Sequence, residues 1–372
     1  MRTMYVYIAT CIFLLNIFSC NAQTSSLSGL SFKEGKTTVI RTVIDMHGGE
    51  LLLPKNVTLK FDKGGCLKNG KVIAANTSIS GYKQNIFENI EISGQWNVTY
   101  ISTDMFKNRS QLNFLKNVFA LASNEVDNVL KVEDGEYKVA AYRLGESILN
   151  VPSKTEVIIN GSIMMEPNEL TSCSIVGLNG ENIKLHGRGM ICGDRYTHMG
   201  TSGEWGMGVM VSRCVNVDIF DITIKDCWGD CIYVGQESTD VHINNCTLEH
   251  GRRQGVSITS AGQVLIENCV ISNIGGTSPE HAIDVEPNKN DTIESVVIKN
   301  VKAVDCKGGF LAWGGATNAI IKNVELYDCY VRGAKESEYA FYMANSVKMV
   351  RCTSERNSKP VKSKCKYFTV IE

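Results

Sequence analysis

Short runs in which apolar and polar residues alternate, broken by Gly, Asn and Asp, fill the second half of this chain, and one block of them recurs. It reads Val-x-Ile-x-Asn-Cys-x-Leu, then a turn, then a second short alternating run. Copies begin at Val217 (VDIFDITI), Val241 (VHINNCTL), Val264 (VLIENCVI), Val296 (VVIKNVKA) and Ala319 (AIIKNVEL), with a worn copy at Val347 (VKMVRCTS). Period-2 alternation in β-branched stretches predicts strands. Steps of roughly 23 to 32 residues lie in the range of stacked repeats and leave no room for a helix in each unit. A unit of two or three strands cannot bury its apolar face alone, so it must stack on its neighbours. The pattern predicts an all-β chain, a single-stranded right-handed parallel β-helix.

Three parts are expected. Residues 1–20 read as a targeting signal, with Arg2 before an apolar run from Tyr5 to Phe18 that is short for a membrane span. Ile17 to Cys20 resemble the lipobox of bacterial lipoproteins. That resemblance implies lipidation of Cys20 and an exported cell-envelope lipoprotein of a Gram-negative bacterium, in the outer membrane or periplasm. Contact with the membrane would run only through the N-terminal lipid anchor, and cleavage after Ala22 is the alternative. Residues 21–125 hold strand-like pieces (VTLKF, KVIAA, IEISG) and a helix predicted over Gln111–Ser123. They are expected to supply an N-terminal cap and lead-in strands, because an open solenoid end is an unpaired sheet edge. Residues 126–372 are expected to form the β-helix.

Composition changes the picture in two places. A net charge of −1 without long basic runs argues against nucleic acid as partner. Fourteen Cys in an exported chain suggest disulfides. Their placement suggests ladders instead, with Cys246, Cys269 and Cys352 at one repeat position and Cys227, Cys306 and Cys329 at another. Free thiols packed as small apolar groups are expected. A bridge such as Cys246–Cys269 is open geometrically, since rungs lie about 4.8 Å apart. Asn245, Asn268, Asn300 and Asn323 are expected to stack as a structural ladder of turn amides.

Aligning the repeats converts the sequence into a surface. The second strand of each rung begins at Gly229 (GDCIYV), Arg253 (RQGVSI), Glu280 (EHAIDV), Gly308 (GGFLAW) and Glu338 (EYAFYM). Ile232, Val256, Ile283, Leu311 and Phe341 form one inward column, and Val234, Ile258, Val285, Trp313 and Met343 another. Tyr233, Ser257, Asp284, Ala312 and Tyr342 should face outward. Asp230, Gln254, His281, Gly309 and Tyr339 should lead into the strands, and Glu286 follows Asp284 on the same side. Polar and aromatic groups therefore gather on three rungs, with Arg252, Arg253, Trp228 and Trp205 beside them.

Residues from about Ile183 to Val285 resemble the polygalacturonase group of glycoside hydrolases, within the pectin-lyase-like superfamily. Those enzymes show Asn-Thr-Asp, Gly-Asp-Asp-Cys, Gly-His-Gly-x-Ser-Ile and Arg-Ile-Lys on successive rungs. The layout here is GRGMICGDR (Gly187 to Arg195), then Trp228 to Ile232, Arg253 to Ile258, and Ile283 to Glu286. Phrases such as GEWGMG, DCWGD and IDVEPN also resemble β-helix proteins of gut Bacteroidetes and of phage tails. The resemblance implies the fold and does not carry the activity. Asp230 keeps one Asp of the pair and Gly229 replaces the other. Gln254 stands at the His position, Asp284 and Glu286 at the Arg-x-Lys positions, and Trp205-Gly206-Met207 where Asn-Thr-Asp is expected.

The residues themselves suggest carbohydrate chemistry. Glycoside hydrolysis needs two carboxyl groups, roughly 5 to 9.5 Å apart depending on stereochemistry. Asp230 set against Asp284 or Glu286, two rungs away at roughly 9 to 10 Å, fits an inverting pair. Trp205, Trp228 and Tyr233 are candidate sugar-stacking groups, and Arg252, Arg253, Gln254 and His281 candidate substrate ligands. The hydrolase requires no cofactor. A lyase acting on uronates is the second reading, with Arg253 or His281 as base and Ca²⁺ held by Asp230, Asp284 and Glu286. Glycan binding without turnover is the third. Each residue also has a plainer role open to it: an ion pair, a turn hydrogen bond or a packing lid.

Overall fold

The computed structural model describes residues 29–372, so the leader and Cys20 lie outside the described residues. From Tyr100 onward the chain winds through three parallel sheets. One has eleven strands, from Tyr100–Ser102 to Tyr367–Ile371. A second has nine, from Glu136–Val139 to Thr353–Ser354. The third, the site sheet, has nine, from Glu146–Val151 to Val361–Ser363. Each turn of chain gives one strand to each sheet, as in Trp205–Ser212, Val215–Phe220 and Thr223–Lys225 before the site sheet resumes at Ile232–Gly235. Every pairing is parallel, and Val209, Ile219 and Ile224 of one turn are all fully buried against each other's sheets. Alternation along each strand is what sends these residues to a common core.

The expected repeat register holds through Val296 and then shifts. Val296 pairs with Val324, not with a position near Ala319, and Val324 pairs with Val347. Residues 320–323 open the next strand ahead of Val324, as 292–295 do ahead of Val296, and a motif search reads that opening as the start of the copy. Two corrections follow. Asn323 is a strand residue whose amide donates to Ser295 and Glu325, and Asp328 takes the turn position next to Asn300, with φ 54°. Cys329 joins the ladder of Cys246, Cys269 and Cys352 and does not stack with Cys227 and Cys306. Cys246 and Cys269 adjoin on neighbouring rungs, the Cys246 amide donating to Cys269 Sγ at 3.5 Å, and the twelve described cysteines are free thiols.

A separate one-residue slip affects the later rungs of the site sheet. Ile232, Val256 and Ile283 align as expected, but Phe310 and then Tyr339 continue that column, in place of Leu311 and Phe341. Val285 is followed by Ala312 and Phe341, where Trp313 and Met343 were expected, and Asp284 by Leu311 and Ala340, where Ala312 and Tyr342 were expected. Gly308, not Gly309, lies beside His281. The three rungs that carry the candidate chemistry keep their predicted register.

Parallel pairing also runs back through the N-terminal segment. Val43–Asp45, Glu50–Leu52 and Thr58–Phe61 pair in succession along the sixteen-residue strand Cys66–Gly81, which pairs with Phe87–Asn97. Asparagine ladders recur here at about twenty residues: Asn89 donates to Asn69, and Asn108 to Asn89. Asn69, Asn89 and Asn108 all have φ between 51° and 57°, a left-handed conformation that Asn tolerates well. The predicted helix is shorter than expected, Phe114–Phe119, with Leu112 left 48% exposed. It occupies the turn's site-sheet position and packs on Glu146–Val151, covering the first edge of that sheet.

Candidate functional site

The outer face of the site sheet gathers the predicted residues on three rungs. Tyr233, Ser257 and Asp284 are register partners, while Ile232, Val234, Val256, Ile258, Ile283 and Val285 fill the core behind them. Gly255 donates its N–H to the His281 carbonyl, and Cys231 to that of Gln254, which sets Asp230, Gln254 and His281 side by side at the strand starts. Two glycines permit the close turn packing. A Cβ on Gly229 would lie 2.3 Å from the Glu204 carbonyl oxygen, and one on Gly206 would lie 2.7 Å from the Trp228 Cβ.

Burial is the first surprise of the site. Asp230 is 0% exposed and Asp284 is 1% exposed, although both lie on the sheet's outer side. Arg253 covers them. Its Nη1 lies 3.3 Å from Asp230 Oδ2 and donates to Ser257 Oγ at 3.3 Å, and its Nε sits 3.5 Å from Glu204 Oε2. Gln254 is held on both sides, its Oε1 accepting from the His281 N–H at 2.7 Å and its Nε2 donating to Asp284 Oδ2 at 3.0 Å. That first bond fixes the amide, so the donor must face Asp284.

Electrostatics separates the two aspartates from ordinary carboxylates. Burial pushes the Asp230 pKa up to about 6, even against the opposing pull of Arg253 and Ser257. Burial and then the adjacent Glu286 carboxyl raise Asp284 well above the usual range. Asp284 Oδ1 is buried with no donor facing it. A proton kept on Asp284, facing the Glu286 carboxyl, satisfies that oxygen. Glu338 shows what a purely structural buried carboxylate looks like in this fold. It is also 1% exposed, yet donors from Ser358, Ser354 and Arg356 outweigh burial and draw its pKa down to about 2.

The remaining predicted residues fall into two groups. Trp205 is 53% exposed at the start of its strand, an open aromatic face beside Glu204. Tyr233 is half-buried, its hydroxyl 2.8 Å from Thr259 Oγ1. Trp228 is packed between the rings of His198, 3.9 Å away, and the Arg252 guanidinium, 3.7 Å away. Arg252 donates to the carbonyls of Gly203 and Trp228. Burial lowers the His281 pKa, and its Nδ1 bonds the Pro279 carbonyl at 2.6 Å, so the neutral ring carries its proton there. Its Nε2 is buried against Gly308. His281 is therefore built into the wall and Trp205 stays open, while Trp228, Arg252, Tyr233 and Glu286 are all half-buried, the first two held by their neighbours.

Four participants were not predicted: Glu204, Ser257 as a ligand of Arg253, and the buried pair Asp194 and His198, bonded at 2.8 Å. Glu204 and Asp194 sit inside segments that the resemblance singled out. Their roles come from a loop folding back over the sheet, which no spacing along the chain reveals. Of the seven buried side-chain polar atoms without a hydrogen-bond partner among the described residues, five belong to His198, Trp228, Arg253, His281 and Asp284. Such atoms are rare in folded proteins, and their concentration marks this locus.

A pH dependence of stability follows from Asp230. Its folded pKa of about 6 lies above the ordinary value of 3.8. Between those values the folded chain holds the extra proton, so stability falls as pH rises from about 4 to about 6 and then levels. The shift corresponds to roughly 3 kcal/mol. Chemical denaturation of the protein and of Asp230→Asn across that range should differ by a gap that changes by this order. A constant gap would refute the assignment.

A family comparison agrees with the fold over part of the chain. Residues 147–324 match the family model described as right handed beta helix region. The uncharacterized protein YclG of Bacillus subtilis (strain 168) is 33% identical over 159 residues, covering 37% of this chain and 27% of that protein. The SPbeta prophage-derived uncharacterized protein YorA of the same strain is 30% identical over 163 residues, covering 37% and 28%. The chain thus spans little more than a quarter of these relatives. Among solved structures, a tailspike protein gp49 from Acinetobacter baumannii bacteriophage Fri1, a capsular polysaccharide depolymerase, is 12% identical with a TM-score of 0.46, covering 73% of this chain and 57% of that one. The Azotobacter vinelandii mannuronan C-5 epimerase A-module gives 12% and 0.38, covering 66% and 86%. Endopolygalacturonase I from Stereum purpureum gives 14% and 0.25, covering 89% and 92%. At this distance no residue role transfers from them. Three parallel sheets stacked on one core give this chain the parallel β-helix fold, and residues 147–324 within it match the right handed beta helix region.

Proposed function

We propose that this chain is an exported carbohydrate-active protein, a glycoside hydrolase acting on a polysaccharide through carboxylates of the site sheet. One observation carries the reading: Asp284 is buried beside a second carboxylate, Glu286, with an oxygen that no donor satisfies. A buried carboxyl that keeps its proton above the usual carboxylate range can serve as a general acid. Asp284 supplies that proton to the glycosidic oxygen, and Glu286, half-buried just past the strand, lies against it. Asp230, with a pKa near neutrality, is the base that activates water. Reaching Asp230 requires Arg253, whose side chain is 16% exposed, to swing aside. Trp205 offers the face on which a sugar ring stacks.

The lyase reading has less support. Arg253 is held charged by Asp230, Asp284 and Glu204, which outweigh its burial, and a guanidinium in that state takes up no proton. His281 has its free nitrogen packed on Gly308. No group of three His, Cys, Asp or Glu side chains suited to a metal ion occurs among the described residues, and Asp230 and Asp284 face Arg253 and Gln254. Glycan binding without turnover is favoured by one fact, the near-complete burial of both aspartates.

Incubation of the mature chain with a panel of plant and host polysaccharides separates these readings. The hydrolase releases reducing ends without the ultraviolet absorbance of unsaturated uronates. Calcium-dependent absorbance would identify a lyase, and binding with no product would leave the non-catalytic reading. Export and anchoring rest on the Arg2-led apolar run and on Cys20. Mass spectrometry of the mature N-terminus should find a lipidated Cys20, and an unmodified N-terminus after Ala22 would rule out the anchor.

A further inference from the structure

Resting on the carbohydrate reading above, we infer that the glycan this face accepts is uncharged. Binding a uronate or sulfate polymer needs cations free to meet its anions. Both arginines nearest the carboxylates are already engaged. Arg253 is spent on Asp230, Ser257 and Glu204, and Arg252 on two backbone carbonyls and the Trp228 ring. His281 is held neutral by burial and by its bond to the Pro279 carbonyl. No cation in this cluster is left to offer an incoming carboxylate.

The groove that continues the site points the same way. It has a volume of ≈ 600 Å³ and begins at Tyr233, which pairs with Ser257, itself the register partner of Asp284. Its charged lining is one cation, Arg213, against two anions, Glu237 and Asp291. Lys289 on the adjoining turn lies outside the lining, and counting it brings the balance only to zero. Apart from the exposed Val215, the other lining groups are hydroxyls and amides, from Tyr233, Gln236, Thr259, Ser260 and Asn288. Gln236 and Glu237 hold consecutive left-handed conformations, φ 53° and 63°, which are sparsely populated by such residues. Hydroxyl and amide groups in a fixed turn suit sugar hydroxyls. Glu237 and Asp291 repel an anion on any sugar lodged there, most strongly at low salt.

Affinity electrophoresis of the full mature chain tests this without any turnover. Neutral probes are xylan, galactan, mannan and dextran; anionic probes are polygalacturonate and alginate, all at low and moderate ionic strength. At least one neutral polymer should retard the protein with tenfold or greater preference over both anionic ones. In the double variant Glu237→Gln, Asp291→Asn the preference should narrow several-fold at low salt, and circular dichroism should show the β-helix intact. Equal or tighter retention by an anionic polymer overturns the inference, as does failure of every neutral polymer to bind. Neutral binding with no reducing ends would keep this inference and sink only the hydrolase.

Discussion

Asp284→Asn should lower the rate of reducing-end release by roughly 10²- to 10⁴-fold, the range ascribed to a positioned general acid, while leaving the fold as stable as before or more so. The two effects have opposite signs for a physical reason. An amide at position 284 still accepts from Gln254, and its NH₂ supplies Glu286 with the donor that the wild-type pair lacks at high pH. Burial no longer opposes a charge. A residue that is only structural behaves otherwise. Glu338 draws donors from Ser354, Ser358 and Arg356, and removing its charge weakens each of them. Turnover and denaturant midpoint measured on the same preparations decide the matter. If Asp284→Asn keeps its rate, or loses stability in proportion to it, Asp284 is not the acid. The raised pKa of Asp284 also sets the sign of the pH profile: activity needs the proton and declines as pH rises through the pair's titration.

Phe310→Ala should destabilise the protein by about 3–5 kcal/mol, the ordinary loss for a large core aromatic. Phe310 is 1% exposed, pairs with Ile283 behind the site strand, and stacks on Tyr339 at 5.5 Å. Each rung contacts only its neighbours, so the damage should be local. Hydrogen exchange should rise in the strands His281–Val285, Gly308–Trp313 and Tyr339–Tyr342, and stay protected around Asn128–Val132. Uniform loss of protection along the chain would mean that the solenoid unfolds as one unit. Leu311→Ala is the control. The unshifted register would place Leu311 in the core, whereas it is half-buried on the outer side, so its loss should be far smaller.

Much of the site was legible because function here depends on register, and register shows in alternation. The apolar pairs Ile232 and Val234, Val256 and Ile258, and Ile283 and Val285 fix the facing of Tyr233, Ser257 and Asp284 without any tertiary information. Reading failed where a motif matched out of register. Asn323 mimics Asn300 but partners Ser295, which misplaced Asn323 and Cys329, and a one-residue slip from Gly308 onward moved the later site-sheet columns. The N-terminal Asn ladders escaped notice because their period is shorter and lacks the Cys-bearing block.

The sequence by itself determined the solenoid, its three-rung polar face and the identity of the carboxylates, because a period-2 pattern leaves each side chain only two directions. Tertiary structure alone decided what those groups are. Glu204 reaches Arg253 across 49 residues of chain, and Gln254 meets Asp284 across a further turn of the coil. The covering turned an apparently exposed row of charges into buried groups, raised the pKa of Asp230 and Asp284, and engaged the arginines that would otherwise greet an anionic sugar. Charge and burial depend on distances between rungs and loops, and those distances exist only after the chain has wound.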